Sequence, residues 1–288
     1  MDDLKVSIVQ SDVIWENPER NRKMFSEKIL QIKEKTDLII LPEMFNSGFT
    51  MNPEAVAENE NGKTILWMKK MAIKKKCVVT GSLIIKEEKR IKNKINVFYY
   101  NRLIWQNPDG TTEIYNKKHL FRFANEHKKY SPGKEKLIVE INKEKRNGRG
   151  WKICPMICYD LRFPVWCRNS PNKINNNGKK TGTGGLYELL IFVASWPGHR
   201  SYAWKTLLKA RAIENQCYVI GVNRIGTDGN GISYSGDSVV INPMGETISK
   251  TKAFQNSVET VTLSANTIEE WRKNFPAWMD SDAFDFSA

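Results

Sequence analysis

The chain has 288 residues, 40% of them hydrophobic, which is enough for one large domain or two small ones with a sizeable core. Its 45 lysines and arginines against 32 acidic residues give a formal net charge of +13. The lysines are scattered in mixed runs such as "KKMAIKKK" and "KEEKRIKNK" without a nucleic-acid-binding signature, so a solvated surface is expected, with no nucleic-acid partner. Five dispersed cysteines without a CxxC pair argue against a disulfide scaffold or structural zinc, three histidines argue against a multi-histidine metal centre, and no apolar run approaches the ~20 residues of a membrane span.

In chain order, "KVSIVQ" (5–10) predicts a strand, and 17–35 an amphipathic helix with Phe25, Ile29 and Ile32 on one face. "DLIILPE" (37–43) is a continuous apolar run, as in a buried strand. Residues 64–76 predict a helix and 77–85 a strand. "INVFYY" (95–100), "RLIWQ" (102–106) and "TEIYNKKHL" (112–120) follow, and the "NPDG" between the last two predicts antiparallel pairing. "NKEKRNGRG" (142–150) reads as a polar hairpin turn. Strands are predicted at 151–157, 186–195 and 217–223, with a helix at 201–216. A further strand, a turn at "NPMG" and a strand start fall within 237–249. This alternation predicts an α/β protein with helices packed outside its sheets. No linker divides it, so a single domain over 1–288 is expected. The segment 169–185 is rich in Asn, Gly, Lys and Thr and is expected to be a flexible surface loop. "MDDLKVSIVQ" shows no secretory signal pattern, and a soluble, cytoplasmic protein is expected.

Ligands of open α/β sheets gather at the carboxyl ends of strands. Three chemically capable residues fall there: Glu43 closes "DLIILPE", Lys117 closes "TEIYNK", and Cys158 closes "WKICPMIC". Singly, each has an ordinary structural explanation, as an ion-pair partner, a surface lysine or a small buried hydrophobe. Together they make a catalyst. A thiol needs a base, which a buried carboxylate supplies, and the oxyanion formed by attack on an amide needs a fixed positive charge. After the cysteine, "YDLRFP" offers Asp160 as an N-cap and Pro164 in a first turn. A helix starting there is expected to aim N–H groups at the sulfur and lower its pKa.

At "LPEMF", "YNKKHLF" and "ICYDLRFPVW" the chain resembles the nitrilase superfamily, the carbon–nitrogen hydrolases. "WKTLLKARAIENQCYVIGVNR" and "DSVVINPMGE" extend the resemblance over nearly the whole length. It implies a four-layer αββα sandwich, with Cys158 as nucleophile, Glu43 as general base, and Lys117 with the Tyr159 backbone N–H stabilising the tetrahedral intermediate. A second family glutamate, ahead of an "SPG" element, falls at Glu126 and is implied to position the lysine and the substrate amide. No metal or organic cofactor is implied.

Within the superfamily, "KKHLFRFANEH", "VASWPGHRSYAW", "YSGDS" and "FPAWMDSDAF" resemble the bacterial omega-amidases of the 2-oxoglutaramate amidase type. That implies hydrolysis of the terminal amide of a small anionic 2-oxo dicarboxylic acid monoamide, and a homodimer. Arg122, Arg162 and Arg200, with His199 as an outsider, are candidates to hold the substrate carboxylate, and Phe45, Phe121 and Trp196 to wall the pocket. Three other readings stand beside this one. The same triad serves nitriles and N-carbamoyl compounds, a papain-like hydrolase would use His119 as its base, and the net charge alone would suit a non-catalytic nucleic-acid-binding module, against which the intact Glu–Lys–Cys set argues.

Overall fold

The computed structural model describes residues 2–141, 149–169 and 187–282. Its strands are β1 (Leu4–Gln10), β2 (Leu38–Ile40), β3 (Val78–Ile91), β4 (Lys94–Gln106), β5 (Thr112–Asn116), β6 (Val139–Ile141), β7 (Trp151–Ile157), β8 (Leu189–Ala194), β9 (Tyr218–Asn223), β10 (Ile225–Thr227), β11 (Ser233–Ser235), β12 (Val239–Ile241) and β13 (Ser257–Leu263). Six form one sheet in the order β13-β1-β2-β3-β4-β5, and five form another in the order β12-β9-β8-β7-β6. Each sheet has a parallel centre, β1-β2-β3 and β7-β8-β9, bordered by antiparallel strands.

Side chains alternate across a strand, so each strand of the first sheet feeds two layers. Leu4, Val6, Ile8, Leu38, Ile40, Leu103 and Trp105 join Ile153, Leu189, Ile191 and Val219 of the second sheet in one core. Ile39, Leu41, Val79 and Ile104 point the other way, onto Phe25, Ile29, Met68, Met71 and Ala72 of helices Pro18–Gln31 and Lys63–Lys75. Trp204, Leu208 and Ala212 of helix Ser201–Asn215 and Ile268 of helix Ala265–Asn274 cover the second sheet. Each fully buried aliphatic or aromatic side chain of this kind contributes about 1.5–3 kcal/mol. The result is an α/β four-layer αββα sandwich, the architecture that the resemblance to the nitrilase superfamily implies.

The predicted elements need several corrections. "INVFYY" and "RLIWQ" are one strand, β4, and the apparent break at Asn101 is a buried polar residue inside it. The charged run "KEEKRIKNK" is not loop. It is the outer end of the β3–β4 hairpin, turned at Lys92 and Asn93, whose φ values of 47° and 61° match a two-residue type I′ turn. Apolar packing is not required there because both strands project into solvent. Of the expected turn at 142–150, residues 142–148 lie outside the described residues, and so does nearly all of the expected loop at 169–185. Asn169 is described and is not a surface residue. It is buried, and its side-chain amide exchanges two hydrogen bonds with the Tyr187 backbone.

The "SPG" element fastens the end of β5. Ser131 N donates to Tyr99 O and Gly133 N to Lys117 O, both at 2.8 Å. A Cβ on Gly133 would lie 2.0 Å from Asn116 O. Gly133→Ala is therefore expected to destabilise the fold by about 1–3 kcal/mol and to displace the end of β5. Thermal unfolding checks this, and an unchanged midpoint would contradict it.

Candidate active site

The carboxyl ends of five strands meet at one point between the sheets. Glu43 lies three residues beyond β2, Lys117 directly after β5, Cys158 directly after β7, Ser195 directly after β8, and Asn223 ends β9. The backbone bends sharply at two of these places. Met44 has φ 44° and Cys158 has φ 42°, left-handed conformations that cost a side-chain-bearing residue energy and recur where a site needs an exposed functional group. The first bend is pinned to β3 by Met44 N donating to Ser82 Oγ at 2.9 Å and Phe45 N to Ser82 O at 3.2 Å.

The second bend is held by Asp160, which is fully buried. Its Oδ2 accepts from Ile157 N at 3.1 Å and Tyr115 OH at 2.7 Å, and its Oδ1 accepts from His119 N at 3.0 Å and faces His119 Nδ1 at 2.8 Å. Asp160 is thus not the N-cap expected from the sequence. It reaches back to the end of the strand and ties it to β5. The residues after Cys158 form a 3-10 turn, Cys158–Arg162, and only a four-residue helix, Pro164–Cys167, in which Pro164 takes the first position.

Lys117 is at the centre. Its Nζ donates to Glu43 Oε1 at 2.8 Å and to both Glu126 oxygens at 3.0 Å, and all three residues are buried. Burial opposes the Lys117 charge, but Glu126 and Glu43 outweigh it and hold its pKa above the ordinary lysine value. Burial pushes the Glu126 carboxyl up, against Lys117 and with the help of Glu43. Phe121 N donates to Glu126 Oε2 at 2.6 Å and Ser195 N to Glu43 Oε2 at 2.8 Å, so the acids are also held by backbone.

The Cys158 thiol lies against this group. Burial raises its pKa well above the usual thiol value, Glu43 adds to the rise by charge and hydrogen bond, and Lys117 and the Ser195 N–H oppose it. This reverses the expectation of an acidified thiol. The short turn after Cys158 carries too little helix to offset burial beside a carboxylate. A thiol whose pKa is raised in this way needs a base in the act of attack.

Cys158 and Lys117 open onto a cavity of about 580 Å³, within the range of small-molecule sites. Phe121, Tyr159, Arg162, Trp196 and Arg200 line it, as do Trp15, Glu16, Phe49 and Asp228 from loops and Tyr234 from β11, none of which is among the candidates named from the sequence. Arg162 lies over the Trp196 ring at 4.9 Å, and Arg200 over Phe121 and Phe123 at 5.2 and 5.1 Å. Neither guanidinium is paired with a carboxylate among the described residues.

Three candidates fall elsewhere. Phe45 is fully buried in the layer behind the sheet, edge-on to Phe25 at 5.4 Å and pressed against Gly81. The Met44 bend sends Glu43 to Lys117 and Phe45 to the opposite side. Arg122 is exposed on a neighbouring groove with Lys118 and His127, because a 3-10 turn at Arg122–Ala124 carries it past the cavity rim. His199 is exposed and does not line the cavity. His119 also lines the neighbouring groove, stacked on Phe163 at 3.7 Å and engaged with Asp160, which leaves it no part as the base for Cys158. Among the described residues no group of three or more metal-ligating side chains is arranged to hold an ion.

Sequence reasoning also misses Asn101, Ser195 and Asn223. Asn101 Nδ2 donates to Glu43 Oε1 at 2.7 Å, and Asn223 clamps the backbone after β8, accepting from Trp196 N at 2.8 Å and donating to Trp196 O at 2.9 Å. Their sequence signal is a lone amide or hydroxyl inside or at the end of a run otherwise apolar, and it does not say what the group will bond.

The carbon–nitrogen hydrolase family model matches residues 5–273, and the chain belongs to that family. It is 40% identical to the omega-amidase YafV of Escherichia coli K12 over 284 residues, 99% of each chain. It is 28% identical to the 2-oxoglutaramate amidase of Bacillus subtilis over 278 residues, 96% of each. A solved CN-hydrolase superfamily protein from Xanthomonas campestris, with an arsenic adduct in its active site, is 41% identical and superimposes with a TM-score of 0.87 over 100% of both chains.

Replacing Glu43 separates thiol acidity from catalysis. Glu43→Gln removes the negative charge that holds the thiol proton while Lys117 stays, so the Cys158 pKa should fall. The variant should nonetheless lose about 10²–10⁴-fold in turnover, the range for a general base. Ultraviolet thiolate titration, with Cys158→Ser subtracted, measures the first quantity. An unchanged or raised thiol pKa would contradict the part assigned to the Glu43 charge.

Proposed function

We propose that the protein is an omega-amidase that hydrolyses the terminal amide of short 2-oxo dicarboxylic acid monoamides, such as 2-oxoglutaramate and 2-oxosuccinamate, to the acid and ammonia. The observation that carries this is the buried Glu43–Lys117–Glu126 network set against the Cys158 thiol, beside a cavity lined by two arginines that pair with no carboxylate among the described residues. The names of the relatives at 40% and 28% identity support the substrate class.

In this reading Cys158 Sγ attacks the amide carbon as its proton passes to Glu43. The new oxyanion is held by Lys117 and the Tyr159 N–H in a site largely closed to water, where fixed charge acts strongly. Glu43 then gives the proton to the leaving nitrogen, the C–N bond breaks, and ammonia departs from a thioester. Water follows: Glu43 takes its proton, hydroxide adds to the thioester carbon, and the sulfur leaves with that proton restored. Glu126 keeps Lys117 in place and faces the amide. Arg162 and Arg200, flattened on aromatic rings, hold the 2-oxo carboxylate against Phe121 and Trp196. We also read the chain as a single-domain cytoplasmic enzyme that forms a homodimer, as the family resemblance implies.

Ammonia release from 2-oxoglutaramate, compared with a nitrile and an N-carbamoyl amino acid of similar size, tests the reading. The 2-oxo amide should be the preferred substrate, and Cys158→Ala should be inactive on it. Arg200→Ala should raise KM far more than it lowers kcat. Absence of ammonia from the 2-oxo amide, or an active Cys158→Ala, would refute it.

A further inference from the structure

Asn101 sits in the middle of β4 with its side chain buried in the charged cluster. Its Nδ2 is 2.7 Å from Glu43 Oε1 and 3.3 Å from Glu126 Oε1, so one amide group donates to both acids. Its backbone carbonyl accepts from Lys117 N at 2.9 Å. A single residue therefore touches all three charged members. Its own Oδ1 is buried without a hydrogen-bond partner among the described residues. Turning the amide over would aim that oxygen at two carboxylates, so the acids fix its orientation. A fold that leaves a carbonyl unpaired in its interior in order to present an NH₂ group calls for an explanation beyond packing.

The two oxygens of Glu43 are treated differently. Oε1 accepts from Asn101 and from Lys117 at 2.8 Å, which fills both of its lone-pair sites. Oε2 accepts from Ser195 N, at 2.8 Å, and from no other nitrogen donor among the described residues. The same Ser195 N–H also acts on the Cys158 sulfur. We infer that Asn101 is a positioning residue that reserves Glu43 Oε1 as a fixed anchor and leaves Oε2, beside the Ser195 N–H, as the oxygen that carries the proton between Cys158, the leaving nitrogen and water.

This rests on the amidase reading with Glu43 as base. Without Asn101, Oε1 gains an open site, the carboxylate is free to turn, and the charged form loses a donor. Asn101→Ala should lower kcat by up to about 100-fold with KM little changed, as expected for a misplaced catalytic group. Asn101→Asp keeps the shape and supplies the test if the alanine variant does not fold. Its introduced carboxyl can donate only when protonated, so its activity relative to wild type should rise as pH falls. Folded variants with wild-type kcat and pH profile would overturn the inference, as would a loss confined to KM. An inactive wild-type protein would instead overturn the amidase reading itself.

Discussion

A lysine ammonium in a dry interior is stable only if it is paired, and Lys117 is paired twice. Isolating such a charge from water costs several kcal/mol, and removing one partner of a buried pair costs about 3–5 kcal/mol. Much of the surrounding structure follows from that constraint. Two carboxylates must reach the ammonium, yet they repel each other, so each is held by further donors: Glu43 by Asn101 and Ser195 N, Glu126 by Phe121 N and Asn101. Those donors come from β4, from the residue after β8 and from the loop after β5, which ties both sheets together at the cluster. The cluster also decides the state of Cys158. Burial and the Glu43 charge raise the thiol's pKa, which is why the proposed mechanism has Glu43 take the proton as the sulfur attacks.

The long-range geometry that brings this about is partly legible in the sequence. Continuous apolar runs ending in Glu43, Lys117 and Cys158 mark strands that deliver functional groups at their carboxyl ends, and the structure places all three within one cluster. The alternation of strands and helices indicates the layers, and Phe25 and Ile29 indicate the helix face that packs on the first sheet. What periodicity does not carry is direction at the bends. Phe45 follows Glu43 by two residues and is expected beside it, but a left-handed residue between them sends the two to opposite sides of the sheet. Arg122 departs from expectation for the same reason, at a 3-10 turn with no apolar pattern to read.

Polar residues inside strands are the other gap. Asn101 interrupts the hydrophobic run of β4 and reads as its end, whereas its amide is what the two acids require. Asp160 reads as a helix cap and is a brace between β7 and β5. In each case the residue type announces a hydrogen bond but not its partner, because the partner is supplied by tertiary structure. The charged hairpin end at 86–94 misleads in the opposite sense. Strand pairing there is set by the turn and the ladder, with no buried face to leave a hydrophobic signature.

The central claim is that chemistry passes through a covalent bond to Cys158, formed by a thiol that is neutral until Glu43 takes its proton. Intact mass and peptide mapping of the enzyme, acid-quenched within the first turnover of 2-oxoglutaramate, read that bond directly. The account predicts an acyl mass increment on the peptide containing Cys158, appearing with the first ammonia and lost as the acid is formed. Ammonia released at the full rate from an enzyme that stays unmodified at every time, or an acyl group carried by another residue, would contradict it.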